Sequence, residues 1–271
     1  MTDRYAVMGN PIAHSKSPRI HALFAAQTGQ DLVYEAILVE PGGFAAAADA
    51  FRAAGGRGLN ITVPFKQDAW VYADRLSARA ERAGAVNTLV FGTDDVLGDN
   101  TDGLGLVNDL ERNLGCSIAE RRVLVLGAGG AVRGVLQPLL AAAPASLTIA
   151  NRTAATAAEL ALMFGDLGRV YGGGLDILDG KRFDLVINAT AAGLTDEVPP
   201  LPDDLLADGA WCYDMVYGDR PTAFVRWAHA HGAAHAVDGL GMLVEQAAGS
   251  FRLWRGVEPA TAPVLAALRA G

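Results

Sequence analysis

The hydrophobic positions of this chain fall into two successive alternations of short apolar runs and longer Ala- and Leu-rich stretches. In the first block, Arg4 to Met8, Leu32 to Leu38, Gly58 to Val63 and Ala85 to Phe91 are strand-like runs set off by turn residues. Between them Pro18 to Thr28 and Phe44 to Ala54 read as helices. Pro18 suits a first helical turn, where its missing N–H costs nothing. A helix from Gly103 to Leu114 leads out of this block. The second alternation opens at Arg122 and carries strands at Ser146 to Ala150, Asp184 to Asn188 and Trp211 to Met215. Helical stretches at Gly241 to Leu253 and Thr261 to Ala270 close the chain. Strands alternating with helices predict a parallel sheet wound with helices. Two such blocks predict two α/β domains, with boundaries near 102 and 238.

Composition changes this picture little and narrows the function more. With 271 residues, half of them apolar and 19% charged, the chain has ample surface for a core and no signature of long disorder. A net charge of −8 argues against nucleic-acid or anionic-membrane partners, which need a basic face. An anionic ligand must therefore be held by local donors. Cys116 and Cys212 are far apart and lack metal-type spacing, so they read as small buried hydrophobes in a reducing compartment. His14 and His21 have no metal partners at useful spacing either, and no metal is expected. No apolar run reaches the roughly 18 residues that span a bilayer, and the start of the chain lacks the apolar core of a signal peptide. A cytoplasmic protein is expected, with its oligomeric state open and a homodimer one option.

The chemistry begins at Asn60-Ile61-Thr62-Val63-Pro64-Phe65-Lys66, a buried strand that stops at a proline and then presents a lysine. Ligands of open α/β sheets collect at the carboxyl ends of the strands. A lysine there can polarise a carbonyl or move a proton, although most lysines are simply exposed.

In the second block, Gly127-Ala128-Gly129-Gly130-Ala131 follows the apolar strand Val123 to Leu126 and opens a helix. This is the context of a dinucleotide fingerprint, in which glycines let the backbone approach a pyrophosphate at a helix N-terminus. The third glycine position holds Val132, so the match is incomplete. The next strand ends in Asn151-Arg152-Thr153, about 24 residues past Gly127, where an NAD site usually carries an acidic residue. Arg152 can pair with a 2′-phosphate, with Asn151 and Thr153 donating beside it, which favours NADP. Thr153 can equally be a helix cap. The small residues Asn188 to Leu194 end another strand and would admit a nicotinamide ribose, or form only a tight loop.

Other candidates are individually ambiguous. Ser15 and Ser17, two apart in what reads as an extended segment, can aim both hydroxyls at a carboxylate, or Ser17 can merely cap the helix at Pro18. Asn87 sits in a strand and needs partners if buried. Asp102 precedes a helix and can be only its cap.

Taken together, Gly9 to Pro18, Asn60 to Lys66, Gly84 to Leu89, Asn100 to Gly103, Gly127 to Ala131, Asn151 to Thr153, Tyr213 to Gly218 and Gly239 to Gln246 resemble shikimate dehydrogenase, in the family's order and over almost the whole chain. The resemblance implies NADPH-dependent, reversible reduction of 3-dehydroshikimate to shikimate, in aromatic amino-acid biosynthesis. It implies an N-terminal α/β substrate domain with a mainly parallel sheet (1–102 with 239–271), a Rossmann-type NADP domain (103–238) and an active site in the cleft between them. By the same resemblance, Lys66 and Asp102 are the catalytic pair. Ser15, Ser17 and Tyr217 bind the substrate carboxylate, while Thr62, Asn87 and Gln246 hold its ring hydroxyls. Gly127, Gly129, Gly130 and Ala131 cradle the pyrophosphate, and Asn151, Arg152 and Thr153 take the 2′-phosphate. Met215 and Gly239 line the nicotinamide.

One departure stands out. NADP-specific members often place a second arginine three residues after the Asn-Arg-Thr segment, and here that position is Thr156. Losing one charge-assisted contact costs about 1.5–3 kcal/mol, so NADP preference is expected through Arg152 but narrowed. The alternatives are a quinate/shikimate dehydrogenase using NAD and, in another class, a non-catalytic shikimate-binding sensor.

Overall fold

A computed structural model describes residues 2–190 and 197–270 of the chain. The chain divides into two compact units, Met1–Gly105 with Leu243–Gly271, and Leu106–Met242. Both divisions fall inside helices, so no linker composition marks them.

The first unit is built from β1 (Asp3–Gly9), α1 (Ser17–Thr28), β2 (Leu32–Leu38), α2 (Phe44–Ala53), β3 (Gly56–Ile61), α3 (Lys66–Tyr72), β4 (Arg75–Leu76), α4 (Ala78–Ala83), β5 (Thr88–Phe91) and β6 (Val96–Asp99). Its six-stranded sheet has the order β2-β1-β3-β5-β6-β4. The sheet is mixed, because β5 runs antiparallel to both β3 and β6 while the other pairings are parallel. Alternation along the strands separates two faces. Ala6, Met8, Leu59, Ile61, Leu89 and Phe91 pack with Phe44, Phe51 and Phe65 into one core. The intervening Asn60 and Thr88, direct partners across the β3–β5 ladder, point to the other face.

After α5 (Asp102–Asn108) and a π-helical turn (Asp109–Asn113), the second unit contains β7 (Arg122–Leu126), α6 (Gly130–Ala141), β8 (Ser146–Ala150), α7 (Ala154–Phe164), β9 (Val170–Gly173), β10 (Phe183–Asn188), β11 (Leu206–Asp214), α8 (Ala223–Ala230) and β12 (His235–Val237). Then α9 (Leu240–Arg255) and α10 (Thr261–Arg269) end the chain. The second sheet is wholly parallel, in the order β12-β11-β10-β7-β8-β9. This is the doubly wound arrangement, whose strand order reverses between β7 and β10. Val123 and Val125 of β7 face one apolar cluster and Leu124 and Leu126 the other, as a sheet covered on both faces requires.

Several local expectations need correction. Ala85, Val86 and Asn87 lie outside β5, although Val86 N still donates to Lys66 O at 2.8 Å and Asn87 N to Asp99 O at 3.0 Å. These bonds carry the chain across the sheet end without a ladder. The helix expected over Gly103 to Leu114 stops at Asn108 and passes into the π turn. Strands β4, β6, β9 and β12 escape the pattern because they are short, and β6 and β9 contain glycine. The segment at Ser15 is not extended, since Lys16 adopts helical angles (φ −83°, ψ −6°). Ser17 is not a side-chain cap; it lies within α1.

Candidate active site

Lys66 is the first residue of α3, directly after the loop that ends β3. A cation at a helix N-terminus opposes the helix dipole, so its placement needs a compensating partner. That partner is Asp102, whose Oδ2 lies 2.5 Å from Lys66 Nζ, with the two side chains only 14% and 7% exposed. Asp102 is the first residue of α5, and its own N–H is taken by Asn100 Oδ1 at 3.1 Å. Its carboxylate divides its oxygens between two donors. Oδ2 receives Lys66, and Oδ1 receives Asn87 Nδ2 at 2.8 Å.

Asn87 is the hub of this cluster. Its Nδ2 also lies 2.9 Å from Thr101 Oγ1 and 3.2 Å from Gln246 Oε1, while its Oδ1 accepts Thr101 N–H at 2.9 Å. Gln246 reaches the cluster from α9, its Nε2 held by Leu243 O at 3.0 Å. Trp254 of the same helix donates to Leu89 O at 3.0 Å and seats α9 on β5. Lys66, Asp102, Asn87 and Gln246 are thus joined by direct bonds.

The two serines are tied to each other, not to this cluster: Ser15 Oγ accepts Ser17 N–H at 3.3 Å, and Ser17 is buried. Tyr34 donates its hydroxyl to Asn60 Oδ1 at 2.8 Å. Burial holds the Tyr34 phenol well above its ordinary range, so it keeps its proton. Thr62 lies half-buried just after β3, its N–H bonded to Met8 O at 3.0 Å. His21 is a core residue. It stacks on Tyr34 at 4.1 Å, and burial pushes its imidazole down to about 3.

In the second unit, Gly127 closes β7 with φ +106°, a conformation suited to glycine, and its N–H donates to Ala150 O at 2.8 Å. A Cβ there would stand 3.0 Å from Ala189 O at the end of β10, so the turn sits at the reversal point of the sheet. Nothing approaches the missing Cβ positions of Gly129 and Gly130 within 4 Å. The N-terminus of α6 has no side-chain cap and no acid in its first turn. Uncapped N–H groups beside an open backbone suit a pyrophosphate. Val132, in the third glycine position, is fully buried in the core and does not obstruct this face.

At the end of β8, Asn151 Nδ2 donates to Thr153 O at 3.1 Å, and Arg152 is exposed. Thr153 occupies the N-cap position of α7 without a side-chain cap bond, which leaves its hydroxyl available. Met215 follows β11, with its N–H on Asn188 O at 2.8 Å. Gly239 lies against it, since a Cβ at 239 would be 2.4 Å from Met215 O. Tyr217 lies two residues further on in the same loop. Of the small-residue loop expected at Asn188 to Leu194, residues Ala191 to Leu194 lie outside the described residues.

This second group has a buried anchor that sequence reading missed. Asp214, fully buried, accepts Asn188 Nδ2 and Val216 N–H at 3.1 Å each and Thr222 Oγ1 at 2.5 Å. Burial raises its pKa despite these donors. A lone aspartate ending an apolar strand was the available signal. Asp109, Thr101, Thr88 and Ser250 were missed as well, because each acquires partners distant in sequence, such as Tyr213, Gln246 and Asn60. Among the described residues no three His, Cys, Asp or Glu side chains are placed to share a metal ion, and no helix is long and apolar enough to cross a membrane.

Comparison with known proteins identifies relatives along the whole chain. The shikimate dehydrogenase substrate binding domain matches residues 7–89, shikimate / quinate 5-dehydrogenase matches 109–195, and the shikimate 5′-dehydrogenase C-terminal domain matches 239–269. The shikimate dehydrogenase (NADP(+)) of Alkalilimnicola ehrlichii is 66% identical over 269 residues, covering 99% of each chain. The chain belongs to the shikimate dehydrogenase family. The shikimate dehydrogenase (NADP(+)) of Thioalkalivibrio sulfidiphilus is 64% identical, covering 98% of each chain. A shikimate dehydrogenase family structure, shikimate 5-dehydrogenase of Thermus thermophilus in complex with NADP(H) and shikimate, matches with TM-score 0.88 at 36% identity, covering 99% of each chain.

Proposed function

We propose that this chain catalyses the reversible NADP-dependent reduction of 3-dehydroshikimate to shikimate. The observation that carries the reading is the Lys66–Asp102 pair, buried, shared with Asn87 and placed at the carboxyl ends of strands. In this reading residues 1–105 with 243–271 bind substrate and 106–242 bind NADP. Two free, buried thiols fit a reducing, cytoplasmic setting, and burial pushes Cys116 up to about 11 and Cys212 to about 12, which makes them inert.

When bound, NADPH supplies the hydride. The chain's residues carry the remaining tasks. Ser15, Ser17 and Tyr217 bind the substrate carboxylate. Thr62, Asn87 and Gln246 hold ring hydroxyls. Lys66 donates a hydrogen bond to the carbonyl oxygen, stabilises the negative charge that develops there, and delivers the proton that completes the hydroxyl. Asp102 holds the Lys66 ammonium in line and accepts from a neighbouring substrate hydroxyl. On the cofactor side, Gly127, Gly129, Gly130 and Ala131 receive the pyrophosphate, Asn151, Arg152 and Thr153 the 2′-phosphate, and Met215 and Gly239 flank the nicotinamide.

The test is a steady-state absorbance assay with shikimate or quinate as substrate and NADP or NAD as oxidant. NADPH formation with shikimate faster than any other combination supports the reading. Turnover only with quinate and NAD, or none at all, overturns it.

A further inference from the structure

We propose that Thr88 and Ser250, two buried hydroxyls outside the roles given above, are positioning residues that set the Asn87 amide and, through it, the Asp102 carboxylate. The inference rests on the reading of Lys66 and Asp102 as the catalytic pair.

The argument is one of counting protons. Asn87 Oδ1 faces the Thr101 backbone N–H at 2.9 Å, and a backbone N–H can only donate. This fixes the amide with oxygen toward Thr101 and Nδ2 toward Asp102. Asn60 Nδ2 lies 3.2 Å from the Asn87 carbonyl, which can only accept, so the second amide is fixed too. Between these amides stand the two hydroxyls. Thr88 Oγ1 donates its single proton to Asn87 Oδ1 at 2.8 Å. In its 2.8 Å contact with Ser250 Oγ, Thr88 therefore accepts and Ser250 donates, and the same Ser250 proton also faces the Gln246 carbonyl one turn back at 3.2 Å. Of its two protons, Asn60 Nδ2 gives one to Ser250 Oγ at 2.8 Å, and the other is shared between the Asn87 carbonyl and Thr88 Oγ1, each at 3.2 Å.

The shortest bonds of the chain thus point one way. They run from Asn60 through Ser250 and Thr88 to Asn87, and from Asn87 to Asp102, which Lys66 meets from the opposite side. Bonds aligned in this way polarise one another. The fold supplies the geometry, because Asn60 and Thr88 are ladder partners on the sheet face that receives α9, and Ser250 is one turn beyond Gln246 on that helix.

Removing the Thr88 hydroxyl leaves Asn87 Oδ1 with its Thr101 bonds, so Thr88→Val keeps the fold while loosening the amide. The experiment measures kcat and KM for shikimate together with NMR exchange of the Asn87 side-chain amide protons, in wild type, Thr88→Val, Thr88→Ser, Ser250→Ala and the double variant. We expect Thr88→Val to lose about tenfold in kcat with KM changed less than about threefold. Its Asn87 amide exchange should be at least about tenfold faster than in wild type, Thr88→Ser should restore both values, and the double variant should fall no further than Thr88→Val alone. Wild-type exchange in Thr88→Val overturns the proposal whatever the activity, as do normal kcat or independent, multiplying losses. A wild-type protein inactive on shikimate would instead overturn the functional reading, with the exchange data still deciding the role of Thr88.

Discussion

Lys66 and Asp102, 36 residues apart in sequence, meet at 2.5 Å although each opens a different helix. Lys66 breaks a local habit of its position, setting a positive charge at the positive end of α3, whereas Asp102 is an acid in the first turn of α5, the placement the helix dipole favours. A local rule broken as at Lys66 is expected at functional positions.

Asp102→Asn keeps the size of the side chain and removes its charge. The Lys66 ammonium then loses its orienting carboxylate. The expected loss in kcat is at least two decades, about 3 kcal/mol of barrier, with shikimate affinity falling much less. Steady-state kinetics beside calorimetric binding checks this.

Arg152→Ala removes an exposed guanidinium at the end of β8. NADPH affinity is expected to fall by about one to two decades, the size of one charge-assisted contact of about 1.5–3 kcal/mol. NADH affinity is expected to stay within about twofold. Equal losses for both cofactors would make Arg152 an ordinary solvated side chain.

Gly239→Ala places a Cβ 2.4 Å from the Met215 carbonyl oxygen, a backbone atom that cannot turn aside. Overpacking of this kind costs about 1–3 kcal/mol. The melting temperature is expected to fall, and NADPH binding to weaken while shikimate binding is retained. Calorimetry with each ligand separately reads the difference.

His21 makes stability depend on pH. Burial lowers its folded value to about 3 from an unfolded value of 6.5. Between these values the unfolded chain holds more protons than the folded one. Its contribution is therefore fully present above the window and is lost as pH falls through it. At its steepest the loss is about 1.4 kcal/mol per pH unit. His21→Phe preserves a ring against Tyr34, and its urea-unfolding free energy is expected to decline less between pH 6.5 and 4 than that of wild type.

The order of strands and helices was largely readable, because parallel strands buried on both faces show as continuous apolar runs such as Val123 to Leu126. Strands of two to four residues containing glycine or lying at a sheet edge, such as Val170–Gly173, carry no comparable pattern. Lys66 was conspicuous because a charge follows an apolar strand. Asn87 was noticed as a polar residue in an apolar run, although it stands just outside the strand expected to hold it. Ser250, Thr88 and Asp214 were not legible. A buried hydroxyl or carboxylate is defined by its partners, and those partners come together only when β3, β5 and α9, or β10, β11 and the loop before α8, have packed.

The most direct test of the central claim is Lys66→Met, which keeps the aliphatic stem and removes the ammonium. With turnover and shikimate binding measured separately, kcat is expected to fall about a thousandfold, within the range of a lost general acid, while the shikimate dissociation constant stays within about threefold. Retained turnover, or a loss carried wholly by binding, would contradict the assignment of Lys66 as the residue that supplies the proton.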